Sequence, residues 1–579
     1  MRHASCRLRC GMGIKMEYVI LFAALLAAGA LVFAKGLLDE KKERKWRRKK
    51  LLENFGKGGR TEYADGELNA VPRYYQKHQE AFSLDDITWN DLDMDRIFLQ
   101  MNSCGSSAGQ EYLYYLLRTP SFSMEELERR EALMRFFETE TDERLRMQEI
   151  FVQMGRSGKY SIYDYLDLLD SLGERSNALT IWVDIALAAS VLLIFFNASA
   201  GLMLLTVMLC VNITTYLKEK RRVEPYLVSF QYVFRALRAG KELAALPDEI
   251  LAQERETLSG LLPRFSKLQR SAAFGMRRMG DGSPLDVLLD YVNMVFHFDI
   301  IGFNVMLHAV RERREDIDAL LSVTGRLDAL IAAAGYRYGM EGRCEPELLA
   351  AGEDTDSVLV MKQMYHPLLT DAVKNDIEVS RGILLTGSNA SGKSTFLKAA
   401  AINAVLAQTI HACCADRYAG TFFRVYTSMA LRDDLKGGAS YYIVEIRALK
   451  RILDAADEKG APVLCFVDEV LRGTNTVERI AASTQILKSL HRPGVCCFAA
   501  THDVELTGLL EREYDNYHFE EQFSDGDILF PYQLMPGRAS SRNAIRLLEI
   551  MGYGDGIIRA AKRQAEYFLE SGSWKAEQE

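Results

Sequence analysis

The residues best equipped for chemistry lie at 387–395, GSNASGKST, between the apolar run GILLT and the helix-forming stretch FLKAAAINAVLAQ. Glycine, four residues, then glycine, lysine and serine, set between a strand and a helix, form the phosphate-binding loop signature. Gly387 and Gly392 let the backbone fold tightly round an anion. The loop they bracket (Ser388, Asn389, Ala390 and Ser391, running on to Thr395) then aims successive N–H groups at phosphate oxygens. Lys393 reaches the β- and γ-phosphates, Ser394 offers its hydroxyl to Mg²⁺, and the positive end of the next helix favours the same anion. A chance glycine-rich turn is the bland alternative, but it explains neither the strand before nor the helix after.

Three later signals follow in the order such a site needs. VLCFVDE, residues 463–469, is an apolar strand ending in two carboxylates. Asp468 is placed to hold Mg²⁺, directly or through water, and Glu469 to polarise an attacking water as general base. GVCCFAATHD ends in His502. Ligands bind at the carboxyl edge of α/β sheets, so this His is expected to touch the γ-phosphate or orient water; the alternative is a structural His. Gly437-Gly-Ala-Ser440 opens an amphipathic helix, giving free N–H groups and a hydroxyl as a second phosphate contact, although alone it would read as a helix cap.

Such residues need a sheet with helices behind it, and the apolar runs from about residue 346 onward supply one. The preceding pattern is helical. ITWNDLDMDRIFLQMNSCGSSAGQEYLYYLLRTP reads as two short helices joined by a Gly105-Ser-Ser turn. Ser123 and Glu126 have capping-box form and open one long amphipathic helix. Residues 223–337 continue almost without strand signals, and their Phe, Leu and Met stripes read as helix packing. The expected architecture is an α/β P-loop ATPase domain plus an all-α lever/core domain.

Composition sets the scale: 579 residues, 48% hydrophobic and 26% charged, are enough for several buried cores. A net charge of −8 argues against a chain-wide nucleic-acid surface, while leaving room for a local basic patch. Ten cysteines without a CxxC pair suit reduced, buried thiols. Residues 16–34, MEYVILFAALLAAGALVFA, are long enough to cross a bilayer. They run into a block with nine Lys/Arg between residues 35 and 50, against four in the first fifteen residues. That bias puts the bulk of the chain in the cytoplasm, at the cell membrane, with the basic block a solvated linker or a contact for anionic headgroups. A cleavable signal peptide is the competing reading, and Met16 competes with Met1 as the start. A second apolar region, 179–217, is broken at NASAG (197–201) and followed by KEKRR. It reads as a transmembrane hairpin, against a buried hairpin of a helical domain.

Taken in order, GSNASGKST, DDLKGGASYYIVEI, FVDEVLRGTNTVE and ATHDVEL resemble the ATPase domain of the MutS DNA mismatch-repair family. The later PGRASSRNAIRLLEIMGY is similar to that domain's closing segment. The resemblance implies an ABC-type head that binds ATP and Mg²⁺ and dimerises around two nucleotides. It implies that Ser440 reaches the nucleotide of a second protomer, that His502 senses the γ-phosphate, and that Asn375 contacts the base. It further implies double-stranded DNA as a partner. The family's Gly-x-Phe-Tyr-Glu mismatch wedge has no counterpart here, so mismatch reading is not among the expectations. The expected organisation is 1–35, N-terminal segment with a transmembrane helix; 36–83, juxtamembrane linker; 84–178, helical core; 179–217, hairpin; 218–345, core and lever; 346–570, ATPase domain; and 571–579, tail. Two functions compete: an ATPase moving helical arms on DNA, and an ATP-driven mechanical or scaffold module acting on a membrane protein partner without nucleic acid.

Overall fold

The computed structural model describes residues 35–574 except 36–37, 40, 172, 174, 267, 269–290, 350–357, 389–390, 430–440, 472–474, 525–526 and 540–543. The expected span at 16–34 lies outside the described residues.

Six strands form the sheet that carries the candidate site, in the order β12 (Met535–Pro536), β9 (Tyr514–His518), β4 (Gly382–Thr386), β8 (Val495–Thr501), β7 (Val463–Asp468) and β6 (Arg424–Ser428). All neighbours are parallel except β12 on β9. Strands β4 and β7 are buried at every residue, which is why they read as unbroken apolar runs and not as alternating ones. A second, mixed sheet has the order β1 (Glu347–Leu349), β5 (Arg417–Thr421), β2 (Leu359–Met364) and β3 (Asn375–Val379).

The helical part shares its core with the sheet: one continuous apolar cluster runs from Leu113 and Leu330 through Phe396 to Phe466. The Gly105-Ser-Ser turn does join two helices, Met94–Met101 and Ser107–Arg118. Its N–H groups are taken up by buried Asp328, which accepts from Gly105 N at 3.0 Å and Ser106 N at 2.8 Å. The single long helix expected after Ser123 is instead two, Met124–Thr139 and Thr141–Met154. The chain leaves helical geometry at Glu140 (ψ 76°), and Arg144 turns back to donate to the freed Phe137 carbonyl at 2.6 Å.

Residues 41–54 form a helix where a linker was expected. Arg44 and Arg48 pair with Glu149 and Asp142 at 3.0 and 2.6 Å, while Lys42, Lys45 and Lys49 stay exposed. The apolar region is a hairpin of Ala178–Phe196 and Ala198–Ala244. Its turn is tighter than the NASAG signal suggests, because Asn197 alone leaves the helix and caps the next one through Ala200 N. Gly201 permits this, since a Cβ there would lie 2.5 Å from the Ile194 nitrogen. Both arms are long and apolar enough to cross a membrane by length and composition, and Phe195 and Phe196 at the tip are 83% and 89% exposed. Asp184, the charge inside the hairpin, meets the buried His297 ring at 2.8 Å; the other ring nitrogen faces the Asn212 carbonyl at 3.1 Å. The second arm does not stop at the hairpin. Its 47 residues run on into the helical core, about 70 Å at 1.5 Å per residue.

Candidate nucleotide site

Strand β4 ends at Thr386, and the helix Lys393–Thr409 begins after Gly392. Gly387 (φ 146°) and Gly392 (φ 104°) both adopt backbone angles that L side chains resist. A Cβ on Gly387 would meet the Phe519 carbonyl and Ser391 Oγ at 2.8 Å, so the loop is closed up as tightly as glycine allows. Ser391 Oγ donates to the Ser388 carbonyl at 2.8 Å. Buried Lys393 turns its ammonium back onto the Gly387 and Ser388 carbonyls at 2.7 and 2.6 Å. Ser388 Oγ is buried with no hydrogen-bond partner among the described residues. Ser394 and Thr395 stand exposed on the first helical turn, whose N–H groups have no intrahelical acceptors. Asn389 and Ala390 lie outside the described residues. An ammonium, an orphan hydroxyl and free N–H groups around one glycine loop form a site suited to a phosphate chain.

The parallel register delivers the other groups to the same edge. Thr386 pairs with Thr501, and Asp468 with Ala500, so Gly387, Glu469 and His502 emerge side by side. Buried Asp468 accepts from Ser394 Oγ at 2.5 Å. A hydroxyl and a carboxylate so placed are the hard oxygen donors that Mg²⁺ takes, so the residues present fit that ion. Glu469 has φ 63° and Leu471 φ 60°. Left-handed conformations at bulky residues are costly and cluster at functional sites. Glu469 N donates to the Ala500 carbonyl at 2.9 Å, and its carboxylate meets His502 Nε2 at 2.5 Å. His502 thus stands against the expected base. Ser440 and the Gly437 turn lie outside the described residues.

Beside the loop is a cavity of about 500 Å³. Asn375 borders it, but its amide is engaged: Nδ2 donates to the Tyr532 carbonyl at 3.0 Å, and Oδ1 accepts from Leu534 N at 2.7 Å. What Asn375 visibly does is fix the segment that lays Tyr532 over Gly392, where a Cβ would sit 3.0 Å from the ring. Tyr532, Phe396, Phe519 and His366 also line the cavity, and the sequence reading did not single them out. Only the dipeptide His366-Pro367 close before Asn375 offered a signal for any of them.

The helical core grips this unit at several points. Lys398, one turn into the loop helix, pairs with Asp93 at 2.8 Å. Asp91 accepts from Thr427 Oγ1 at 2.7 Å and Met429 N at 2.9 Å, on the strand leading to residues 430–440. At the far end, buried Arg130 and Arg337 cap the helix by donating to the Thr409 and Ile410 carbonyls at 3.0 and 3.2 Å.

The MutS domain V family matches residues 383–569. The DNA mismatch repair protein MutS of Thermus thermophilus is 33% identical over 202 residues, 34% of this chain and 24% of that protein. DNA mismatch repair protein MutS 2 of Haloarcula marismortui is 30% identical over 283 residues, 44% of this chain and 29% of its own. The MutS protein of Chloroflexus aurantiacus is 30% identical over 276 residues, 45% of this chain and 27% of that protein. The chain thus spans less than a third of the length of these relatives. The match begins in β4 and takes in the glycine loop, the Asp468–Glu469 pair and His502; over this region the chain is similar to the MutS family.

Proposed function

We propose that this protein is a membrane-anchored ATPase of P-loop, ABC-type fold that binds and hydrolyses ATP between two copies of itself and moves its helical arms with the nucleotide state. The observation that carries the reading is the convergence of Lys393, the Ser394–Asp468 pair, and Glu469 backed by His502 on one sheet edge. Lys393 leaves its two loop carbonyls for the phosphates, whose charge repays the exchange. Ser394 and Asp468 would hold Mg²⁺, which would supply countercharge to the phosphates. Glu469 orients and deprotonates the attacking water, and His502 fixes its carboxylate and neighbours the γ-phosphate. Tyr532 gives the base a flat surface over Gly392.

The loop is half a site on this reading, and Ser440 of a second copy completes it. In support, the C-terminal helix Asp555–Ser571 buries only Ile558 among its described side chains, while Met551, Tyr553 and Ile557 are 70%, 51% and 57% exposed. Apolar surface of that kind suits a second copy of the chain. The hairpin lies in the cell membrane and the ATPase domain in the cytoplasm, with KEKRR at the hairpin's exit.

The relatives' printed names make duplex DNA the first substrate to test, as a polymer enclosed by the arms and not as a mismatch reader. The second reading, a module pulling on a membrane protein without nucleic acid, is favoured by one observation: the hairpin and the core share a single helix. The deciding experiment uses Glu469→Gln in detergent-solubilised full-length protein. It is expected to retain ATP, accumulate as a dimer and release phosphate about 100-fold more slowly. Unchanged phosphate release refutes the assigned base. Salt-dependent retention of duplex DNA by the trapped dimer separates the two substrates, since phosphate contacts weaken steeply with salt.

A further inference from the structure

His366 follows β2 and lines the cavity beside the phosphate loop. It is 8% exposed. Its Nδ1 accepts the Leu368 backbone N–H at 3.2 Å, which fixes the tautomer: in the neutral ring the proton sits on Nε2. Burial, reinforced by the Lys398 cation, pushes the imidazole down to about 4, so the ring is neutral under physiological conditions. Among the described residues nothing accepts from Nε2. A buried side chain therefore holds a committed acceptor on one nitrogen and an uncommitted donor on the other. Nε2 is not sealed away from solvent, so this donor opens onto the cavity that His366 lines, where a bound ligand's acceptor can take it in place of water.

The cavity says which acceptor. One end is formed by Gly392, Lys393 and Ser394, where the phosphates end; His366 shares the other walls with apolar Met364, Phe396 and Ala399. A flat aromatic heterocycle fits those walls, and a single fixed donor reads its edge. We propose that His366 is the base-reading residue of this site, donating Nε2–H to a ring nitrogen of a purine. This inference rests on the proposed nucleotide site and adds to it a residue that tells a purine from a bare phosphate chain.

The test compares binding of ATP and inorganic tripolyphosphate by the detergent-solubilised full chain. The wild-type protein is expected to hold ATP more tightly than tripolyphosphate. His366→Phe should weaken ATP by roughly 10-fold to 100-fold and leave tripolyphosphate unchanged, while His366→Gln, whose amide can place a donor near Nε2, should recover most of the loss. Deaza-ATP analogues lacking N1, N3 or N7 probe the same contact on the unaltered protein. One of them should bind as weakly as ATP binds to His366→Phe, with no further loss when combined with that variant. The proposal is overturned if ATP binding survives His366→Phe, if tripolyphosphate binding falls with it, or if all three analogues bind like ATP. If the wild-type protein binds neither ATP nor tripolyphosphate, the nucleotide site itself falls, and this inference with it.

Discussion

Arg337→Met puts the grip on the loop helix to a quantitative test. Arg337 is 4% exposed, donates to both oxygens of Glu131 (2.9 Å from Nη2 to Oε1), caps the Ile410 carbonyl at 3.2 Å and approaches Glu138 at 3.3 Å. Burial opposes ionisation of Glu131, but hydrogen bonds from His411 and Arg337 outweigh it and hold the carboxyl down to about 2 against an ordinary 4.5. That gap corresponds to ~3 kcal/mol at 1.36 kcal/mol per tenfold, trimmed to ~2 kcal/mol for residual solvent screening. Removing the guanidinium also strands a buried carboxylate, which independently costs about 3–5 kcal/mol. We expect Arg337→Met to lose ~3 kcal/mol, or roughly 6–12 °C in Tm for a cooperative unit of 150–250 residues. The sign with pH follows from the depressed value. The stabilisation is complete above pH 4.5 and drains away as pH falls toward 2, so wild type and variant should converge on acidification. The assay is thermal unfolding in detergent from pH 7 to pH 3, with Glu131→Leu and the double variant completing the cycle. Replacing both partners should restore more than half of the loss, because no charge is then left buried alone. A single-variant loss under about 1 kcal/mol, or a double-variant loss equal to the sum, refutes the reasoning.

Lys393→Met removes the ammonium that bridges two loop carbonyls, and ATP binding is expected to fall by about 100-fold or more in a filter or fluorescence titration. Gly201→Val places a Cβ 2.5 Å from Ile194 N, so the hairpin should splay, visible as lost cysteine cross-linking between its arms. The hydrogen bond to Asp318 raises the His78 imidazole above its usual 6.5, with burial opposing. Its contribution to stability is full below pH 6.5 and lost as pH climbs through the raised value, so His78→Phe should flatten the fall in Tm between pH 6 and pH 8. Asn375→Ala frees the Tyr532 carbonyl and Leu534 N, and should weaken ATP binding while sparing tripolyphosphate, measured by the same titration.

The phosphate loop was legible because its chemistry demands consecutive residues: two glycines at strained φ, a lysine and a serine cannot be scattered. The placing of Asp468, Glu469 and His502 together was legible for a related reason, since fully buried parallel strands read as apolar runs and the first polar residues past each run mark the carboxyl edge of the sheet. The break at Glu140 was not. Nothing between Thr139 and Thr141 is a helix breaker, and the break is set by Arg144 and the packing of two helices on the core. The cavity wall was hidden too. Met364, His366, Phe396 and Tyr532 are far apart in sequence, and a lone His or Tyr carries no periodic signal. The basic block illustrates a different limit. Its charge was plain, but whether an arginine faces water or an acidic partner depends on Glu149 and Asp142, about a hundred residues away.

On the proposed reading, the loop helix is the route by which a change at a phosphate leaves the site. It is buried over almost its whole length, so it transmits displacement as a rigid body and does not bend. Its N-terminus is the phosphate loop, Lys398 on its flank is tied to Asp93, and Arg130 and Arg337 hold its last carbonyls from two helices of the core. Arg337 belongs to the helix Arg314–Gly339, which packs against the 47-residue helix of the hairpin. The joints on this route are a part-buried ion pair at Lys398–Asp93, buried hydrogen bonds at Thr409 and Ile410, and helix-on-helix packing. On the proposed reading, the same geometry runs in reverse: tension on the hairpin arrives at Ile410 and Thr409, and so at the register of Lys393 and Ser394 with Asp468. Nucleotide binding and the state of the membrane segment are then reciprocal, since a coupling free energy between two sites acts equally in both directions.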